Sequence, residues 1–158
     1  MNISLTTLHY TFQTKPLLIG GKAMEYYDLR PAGADIDFVI TGEDYTALAQ
    51  QYPDHHKDLW GDQGVCVAEF EIWRTICLFD YAYLAAGALD EGDYLVIALD
   101  KLLFLKTLAM KHDEKYQRDV ALLVKKILDD QYGRWWPTLS LERQQAYMNQ
   151  PQAVQKAE

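Results

Sequence analysis

Residues 17–40, LLIGGKAMEYYDLRPAGADIDFVI, carry the strongest structural signals in the chain. The stretch starts with an apolar run that ends in Gly20-Gly21, a pattern typical of a buried strand entering a tight turn. Residues 22–29 predict a short helix, which the following proline and glycine end. Residues 34–40, ADIDFVI, then predict a second strand. The stretch therefore predicts a strand, a glycine turn, a helix and a strand in succession.

Strand patterns outside this stretch give way to helical patterns toward the end of the chain. This order predicts an α+β fold with helices gathered at one end. We expect residues 1–97 to form a core and residues 98–158 a helical region packed on it, with a disordered tail from about residue 150. The further segments are a helix after Gly42, β-rich residues 65–73, a helix at 80–88, a strand at 94–98, a buried apolar helix at 99–108 and an amphipathic helix around 116–127.

Composition narrows the possible classes of function. The formal net charge is −8, and binding along a nucleic-acid backbone needs a dense basic surface, so we expect none. No apolar run approaches the roughly 20 residues that a membrane helix needs, so no membrane partner is expected. The first residues lack the basic and apolar regions of a signal peptide, which predicts a cytoplasmic protein.

Asp35 and Asp37 are the strongest candidates for chemistry. Side chains alternate along a strand, so both carboxylates are expected on one face while Ile36, Phe38 and Ile40 point to the other. Aspartate has poor strand propensity, and two in one short apolar strand break a local rule, which tends to mark function. Two such carboxylates repel unless solvent or a cation separates them, and Mg²⁺ prefers a few carboxylates plus phosphate oxygens. The alternative is a solvent-facing strand with accidental acidic residues.

Two further features complete the candidate site. Gly20-Gly21, between a strand and a helix, lets the backbone approach a ligand closely, and a helix N-terminus offers N–H groups to a phosphate. A third acidic residue would finish a metal site or act as a base. Glu71 is the first choice, followed by Glu69, on the same face two residues earlier, and Asp80.

The ordered pair Ile19-Gly20-Gly21 and Asp35-Ile36-Asp37-Phe38 resembles the signature of the DNA polymerase β-like nucleotidyltransferase superfamily. The segment LDKLLFLKTLAMKHDEKYQRDV, residues 99–120, is similar to its helical region, and the resemblance covers roughly residues 15–130. It implies a nucleotidyltransferase fold: a short mixed β-sheet flanked by helices, with a C-terminal helical bundle. Residues 1–97 would then be the catalytic core.

The resemblance also implies an activity, the transfer of a nucleoside monophosphate from an NTP with Mg²⁺ or Mn²⁺. Asp35, Asp37 and Glu71 would be the catalytic and metal-binding residues. The nucleotide would be held by Gly20, Gly21, Lys106, Arg30 and Asp119, with Lys115 and Tyr116 beside them. Gly21 stands where many active members of the superfamily have serine, and the family signature also allows glycine at this position.

The acceptor is left open by the sequence. The resemblance allows a hydroxyl of a small molecule such as an aminoglycoside or lincosamide, of a protein side chain, or of an RNA end. Small bacterial relatives include antibiotic-resistance enzymes and toxins of toxin–antitoxin pairs, so an antitoxin partner is a further expectation. The alternative function is a catalytically degenerate member of the same fold that binds nucleotide or another protein.

Overall fold

The computed structural model describes residues 3–110 and 113–149 of the 158-residue chain. The tail expected to be disordered from about residue 150 lies outside the described residues, and the division at residue 97 stays a prediction. The strands are β1 (Leu17–Leu18), β2 (Ile36–Val39), β3 (His56–Leu59), β4 (Asp62–Val67), β5 (Phe70–Trp73), β6 (Thr75–Ile76), β7 (Phe79–Asp80), β8 (Leu89–Asp90) and β9 (Leu95–Val96). The helices are α1 (Gly20–Tyr26), α2 (Gly42–Gln51), α3 (Tyr81–Leu84), α4 (Leu99–Ala109), α5 (Glu114–Trp135) and α6 (Leu141–Met148), with 3₁₀ turns at Leu5–Leu8, Pro53–His55 and Trp136–Thr138.

Seven of these strands form one mixed sheet in the order β3-β4-β5-β2-β1-β9-β8, and β6 pairs with β7 in a small hairpin. β1 runs antiparallel to β2 and parallel to β9, while β2 runs parallel to β5. The predicted α+β class is confirmed. Because β1 and β2 are antiparallel, the end of β1 meets the start of β2, where the Ile19 N–H donates to the Asp37 carbonyl oxygen at 2.9 Å.

The core lies between this sheet and the helices. The central strands contribute Leu17, Leu18, Phe38, Phe70 and Ile72, all essentially without solvent exposure. α4 and α5 pack on each other and bring further leucines into the same cluster, namely Leu102, Leu105 and Leu123. Burying one such side chain contributes about 1.5–3 kcal/mol, so the apolar strands are held firmly at the centre of the molecule.

Residues 65–73 differ from the single extended run that their composition predicts. The chain turns at Ala68 and Glu69, and β4 and β5 pair antiparallel on either side of that turn. Ala68 has φ +51°, a left-handed conformation that composition alone does not reveal. The helix expected at 80–88 is also shorter, since α3 covers only Tyr81–Leu84.

A buried carboxylate ties the N-terminal segment to α2. Asp44 has no solvent exposure and accepts hydrogen bonds from the Tyr10 hydroxyl at 2.9 Å and from the backbone N–H groups of Gln13 and Thr14 at 2.9 and 3.1 Å. The Thr41 hydroxyl accepts from the Asp44 N–H and caps α2. Among the described residues, no helix is long and apolar enough to cross a membrane.

Candidate functional site

A pocket of about 490 Å³ opens where the β1–α1 turn, the start of β2 and the helices α4 and α5 meet. It contains most of the residues expected to form a site. Its lining consists of Gly20, Gly21, Arg30, Gly33, Asp35, Asp37, Lys106, Lys115, Tyr116, Arg118 and Asp119. Residues from both ends of the 17–40 stretch and from two helices more than 60 positions later in the chain therefore share one wall.

Asp35 and Asp37 both line this pocket, as the alternation of a strand predicts. Asp37 lies within β2 and is partly buried, whereas Asp35 lies just before the strand and is exposed. The neighbours Ile36 and Phe38 point into the core. The two carboxylates thus differ in solvation although they face the same opening.

The glycine turn lies directly against Asp37. Gly20 has φ +65°, and a Cβ atom at this position would overlap Oδ2 of the Asp37 side chain. Two requirements therefore select glycine here: the left-handed backbone and the lack of room for any side chain. Gly21 is different, because a Cβ there would make only an ordinary contact with Ala32 at 3.8 Å. The close approach belongs to the first glycine of the pair.

Asp37 has an unusual affinity for its proton. Burial raises its pKa from 3.8 to about 6, and the negative charges of Glu71 and Asp35 act in the same direction. The positive charges of Lys106 and Lys57 oppose this shift without cancelling it. A carboxylate that is costly to ionise beside other acidic groups gains from a nearby cation, and Mg²⁺ sites commonly use one or two carboxylates plus substrate phosphate. Asp35 and Asp37 fit that requirement.

Asp119 connects the two basic residues expected to hold phosphate. It is 1% exposed, and its carboxylate accepts hydrogen bonds from Nε and Nη2 of Arg30 at 2.5 and 2.9 Å. The same carboxylate forms an ion pair with Nζ of Lys106 at 2.9 Å. Burial alone would raise the pKa of Asp119, but the hydrogen bonds from Arg30 and Lys106 outweigh it and keep that pKa below its ordinary value. Asp119 therefore holds both cations at the pocket wall.

The start of α5 adds two cations to the same wall. Lys115 and Arg118 are separated by three positions and so lie on one face of the helix. The Tyr116 ring lies near the ammonium groups of Lys106 and Lys115, at 5.1 and 5.0 Å. Sequence reasoning placed Lys115 and Tyr116 beside the site and missed Arg118, although its i+3 spacing from Lys115 on a predicted helix was a usable signal.

Glu71, the preferred third carboxylate, is next to Asp37 but engaged elsewhere. The two residues are directly paired across the parallel strands β2 and β5. Glu71 Oε1 accepts from the ammonium of Lys57 at 2.9 Å, and Glu71 is not among the residues that line the pocket. Its position in the sheet thus agrees with the expectation, whereas its ion pair with Lys57 has no counterpart in the sequence pattern.

The two alternatives for this carboxylate lie away from the pocket. Glu69 is exposed in the β4–β5 turn, so the expectation that it shares a strand face with Glu71 is wrong. Asp80 caps α3 by accepting from the Tyr83 N–H at 2.9 Å, and it lines a separate pocket beside the N-terminus of α2. Over residues 3–110 and 113–149, no three or more His, Cys, Asp or Glu side chains lie close enough together to form a metal-binding group.

Comparison with known proteins identifies no relative. No family model, no curated protein and no solved structure matches this chain.

Proposed function

We propose that this protein is a nucleotidyltransferase that moves a nucleoside monophosphate from an NTP to a hydroxyl group, with Mg²⁺ or Mn²⁺ as cofactor, on a nucleotidyltransferase fold. The observation that carries the proposal is the packing of the Gly20 turn against Asp37 in a pocket that also holds Asp35 and four cationic side chains. Carboxylates for a divalent ion and cations for phosphate are the two complementary charges that a metal–triphosphate complex requires.

Each part of the pocket has a role in this proposal. Asp35 and Asp37 hold the divalent ion, which when bound neutralises charge on the triphosphate. The backbone of Gly20 and Gly21 lies against the phosphates, and Lys106 offsets their charge. Arg30 is already held by Asp119 through two nitrogens and donates Nη1 to the Pro31 carbonyl oxygen at 2.9 Å, so it supports the wall more than it binds phosphate directly.

The proposed reaction is an in-line displacement at the α-phosphorus. The acceptor hydroxyl oxygen forms a bond to that phosphorus, and the bond to the oxygen that bridges to the β-phosphate breaks. Pyrophosphate leaves with the bonding electrons, and the hydroxyl proton passes to the carboxylate of Glu71, which is paired with Asp37 across β2 and β5.

Thermal unfolding with each NTP, with and without Mg²⁺, tests the binding step. A ligand at a hundredfold its Kd adds about 2.7 kcal/mol of stability, which for a chain of this size raises Tm by about 5–11 °C. We expect that gain only when NTP and Mg²⁺ are both present, and we expect Asp37→Asn to abolish it. Asp54→Asn is the matched control, because Asp54 is exposed in a 3₁₀ turn outside the pocket. An equal gain in Asp37→Asn would refute the assignment.

A catalytically degenerate nucleotide-binding protein is the second candidate, and the Lys57–Glu71 ion pair favours it. A carboxylate held by lysine is less available as a metal ligand or a base. Release of pyrophosphate from a bound NTP separates the two candidates. Binding that depends on Mg²⁺, without pyrophosphate release in the presence of any acceptor tried, supports the degenerate form.

The class of acceptor requires a transfer assay. The net charge of −8 favours a small molecule or a protein over a long polynucleotide. Incubation with an NTP labelled at the α-phosphate, followed by separation of small molecules, protein and RNA, shows which fraction retains the label. A protein partner such as an antitoxin would be detected by co-purification of the native chain and by loss of labelling when the partner is bound.

A further inference from the structure

The second half of α5 extends beyond the part of the helix that packs on the core. α5 has 22 residues and α4, which packs on it, has 11, so the two helices are about 33 and 16 Å long. Within the described residues, Leu123 is the last buried side chain of α5, and the helix continues from there to Trp135. A helix in water draws most of its stability from the packing of an apolar face, so this half of α5 gains from contact with a further surface.

An apolar stripe runs along this half of α5. Val124, Leu128 and Tyr132 are spaced by four residues, and their exposed fractions are 40%, 48% and 51%. Leu128 lies five positions after Leu123, or about 140° around the helix, so the stripe faces away from the core. Residues four apart form a ridge, and such ridges pack into the grooves of a facing helix. The stripe therefore has the form of a helix–helix contact that lacks its second helix in the single chain.

The charges beside the stripe are arranged to pair with a second copy of the same helix. Lys125 and Asp129 form an ion pair at 2.5 Å, with 74% and 60% of their side chains exposed. Both lie on the same flank of the stripe, about 60° and 100° around the helix from Leu128.

In an antiparallel pair with a twofold axis at Leu128, a residue n positions after Leu128 lies opposite the residue n positions before it. Val124 then lies opposite Tyr132 of the second copy. Lys125 lies within about 3 Å, along the helix axis, of Asp129 of the second copy. The helix is therefore complementary to itself both in its apolar side chains and in its charges.

We propose that this protein forms a twofold symmetric dimer in which α5 packs antiparallel against α5 of a second copy, with Leu128 at the axis. Because such a contact uses the same patch on both copies, every substitution in the stripe acts twice. The inference is independent of the proposed function. The candidate pocket takes its α5 residues, Lys115 to Asp119, from the start of the helix, whereas the stripe lies in its second half.

Sedimentation velocity of the full chain, from about 1 to 100 μM, tests this inference. We expect the wild-type protein to have twice the mass of one chain. Leu128→Asp places two carboxylates against each other at the axis and should raise the Kd of the dimer about a hundredfold or more. Leu89→Asp is the matched control and should leave the dimer intact, because Leu89 is 44% exposed and lies on β8, outside α5. A monomeric wild-type protein would overturn the proposal and leave the stripe to a different protein, and a dimer that Leu128→Asp does not weaken would overturn it as well.

Exchange of charges tests the antiparallel register. Lys125→Glu and Asp129→Lys each place like charges beside the second copy, so each variant alone should dimerise more weakly than the wild-type protein. An equimolar mixture of the two should recover the dimer, because one copy then supplies carboxylates and the other ammonium groups at the facing positions. Lys126→Glu and Asp130→Lys are the matched controls, since this ion pair, at 2.8 Å, lies about 160° around the helix from Leu128. They should dimerise as the wild-type protein does, and equal behaviour of the two sets of variants would overturn the register.

Discussion

Asp37→Asn should make the ligand-free protein more stable, although we expect the same change to abolish nucleotide binding. The folded state raises the pKa of Asp37 from 3.8 to about 6, so the folded chain holds this proton more tightly than the unfolded chain does. Ionising Asp37 therefore costs stability, and the cost grows as pH rises from about 4 to about 6. At about 1.36 kcal/mol per tenfold change in proton affinity, the cost is about 3 kcal/mol at pH 8 and about half of that at pH 5.

Asparagine removes this cost because it is neutral at every pH and nearly the same size. Urea unfolding at pH 8 and pH 5 should show a gain of about 3 kcal/mol that shrinks toward acid, equivalent to a Tm higher by about 6–12 °C at pH 8. Asp35→Asn is the control, since Asp35 is exposed and its replacement should change stability by less than about 0.5 kcal/mol. A loss of stability at pH 8 in Asp37→Asn, or a gain of the same size at pH 5 and pH 8, would refute the electrostatic reasoning.

Three further substitutions test the framework of the site and of the fold by urea unfolding. Gly20→Ala should cost about 2 kcal/mol or more, because the backbone is left-handed and the added Cβ would overlap Asp37. Gly33→Ala is the control and should change stability by less than about 0.5 kcal/mol. Equal effects of the two substitutions would contradict the close approach of Gly20 to Asp37. Asp119→Asn should cost about 3 kcal/mol because it leaves the buried ammonium of Lys106 and the partly exposed guanidinium of Arg30 uncompensated. A loss below about 1 kcal/mol would show that these cations find other partners. Asp44→Ala should cost about 3 kcal/mol because the three groups that donate hydrogen bonds to Asp44 lose their acceptor. An unchanged urea midpoint would show that Asp44 does not hold the N-terminal segment on α2.

The part of the site within residues 17–40 was predictable because it depends on local geometry. Strand alternation brings Asp35 and Asp37 to one side, and a glycine pair at the end of an apolar strand indicates a turn. Lys106 and Asp119 entered through the resemblance of the helical segment. Their contact across α4 and α5 at 2.9 Å agrees with placing both at the same site.

The ion pair of Glu71 was outside the reach of pattern reading. Its partner, Lys57, lies 14 positions earlier on β3, which is separated from β5 by β4. Only the register of three strands brings them together, and that register depends on the turn at Ala68 and Glu69. Composition predicted one continuous strand there, because Ala68 is not a residue type that signals a left-handed turn.

The amino-acid pattern alone was enough to predict the α+β class, the glycine turn and the two aspartates that face one opening. Each of these follows from local periodicity and from the conformational freedom of glycine. The folded chain was needed to show which side chains meet. Asp119 pairs with Arg30 and Lys106, Lys57 pairs with Glu71, and Asp37 packs against the Gly20 turn. Pairing between distant segments depends on strand register and helix packing, and these are set by how the whole core closes.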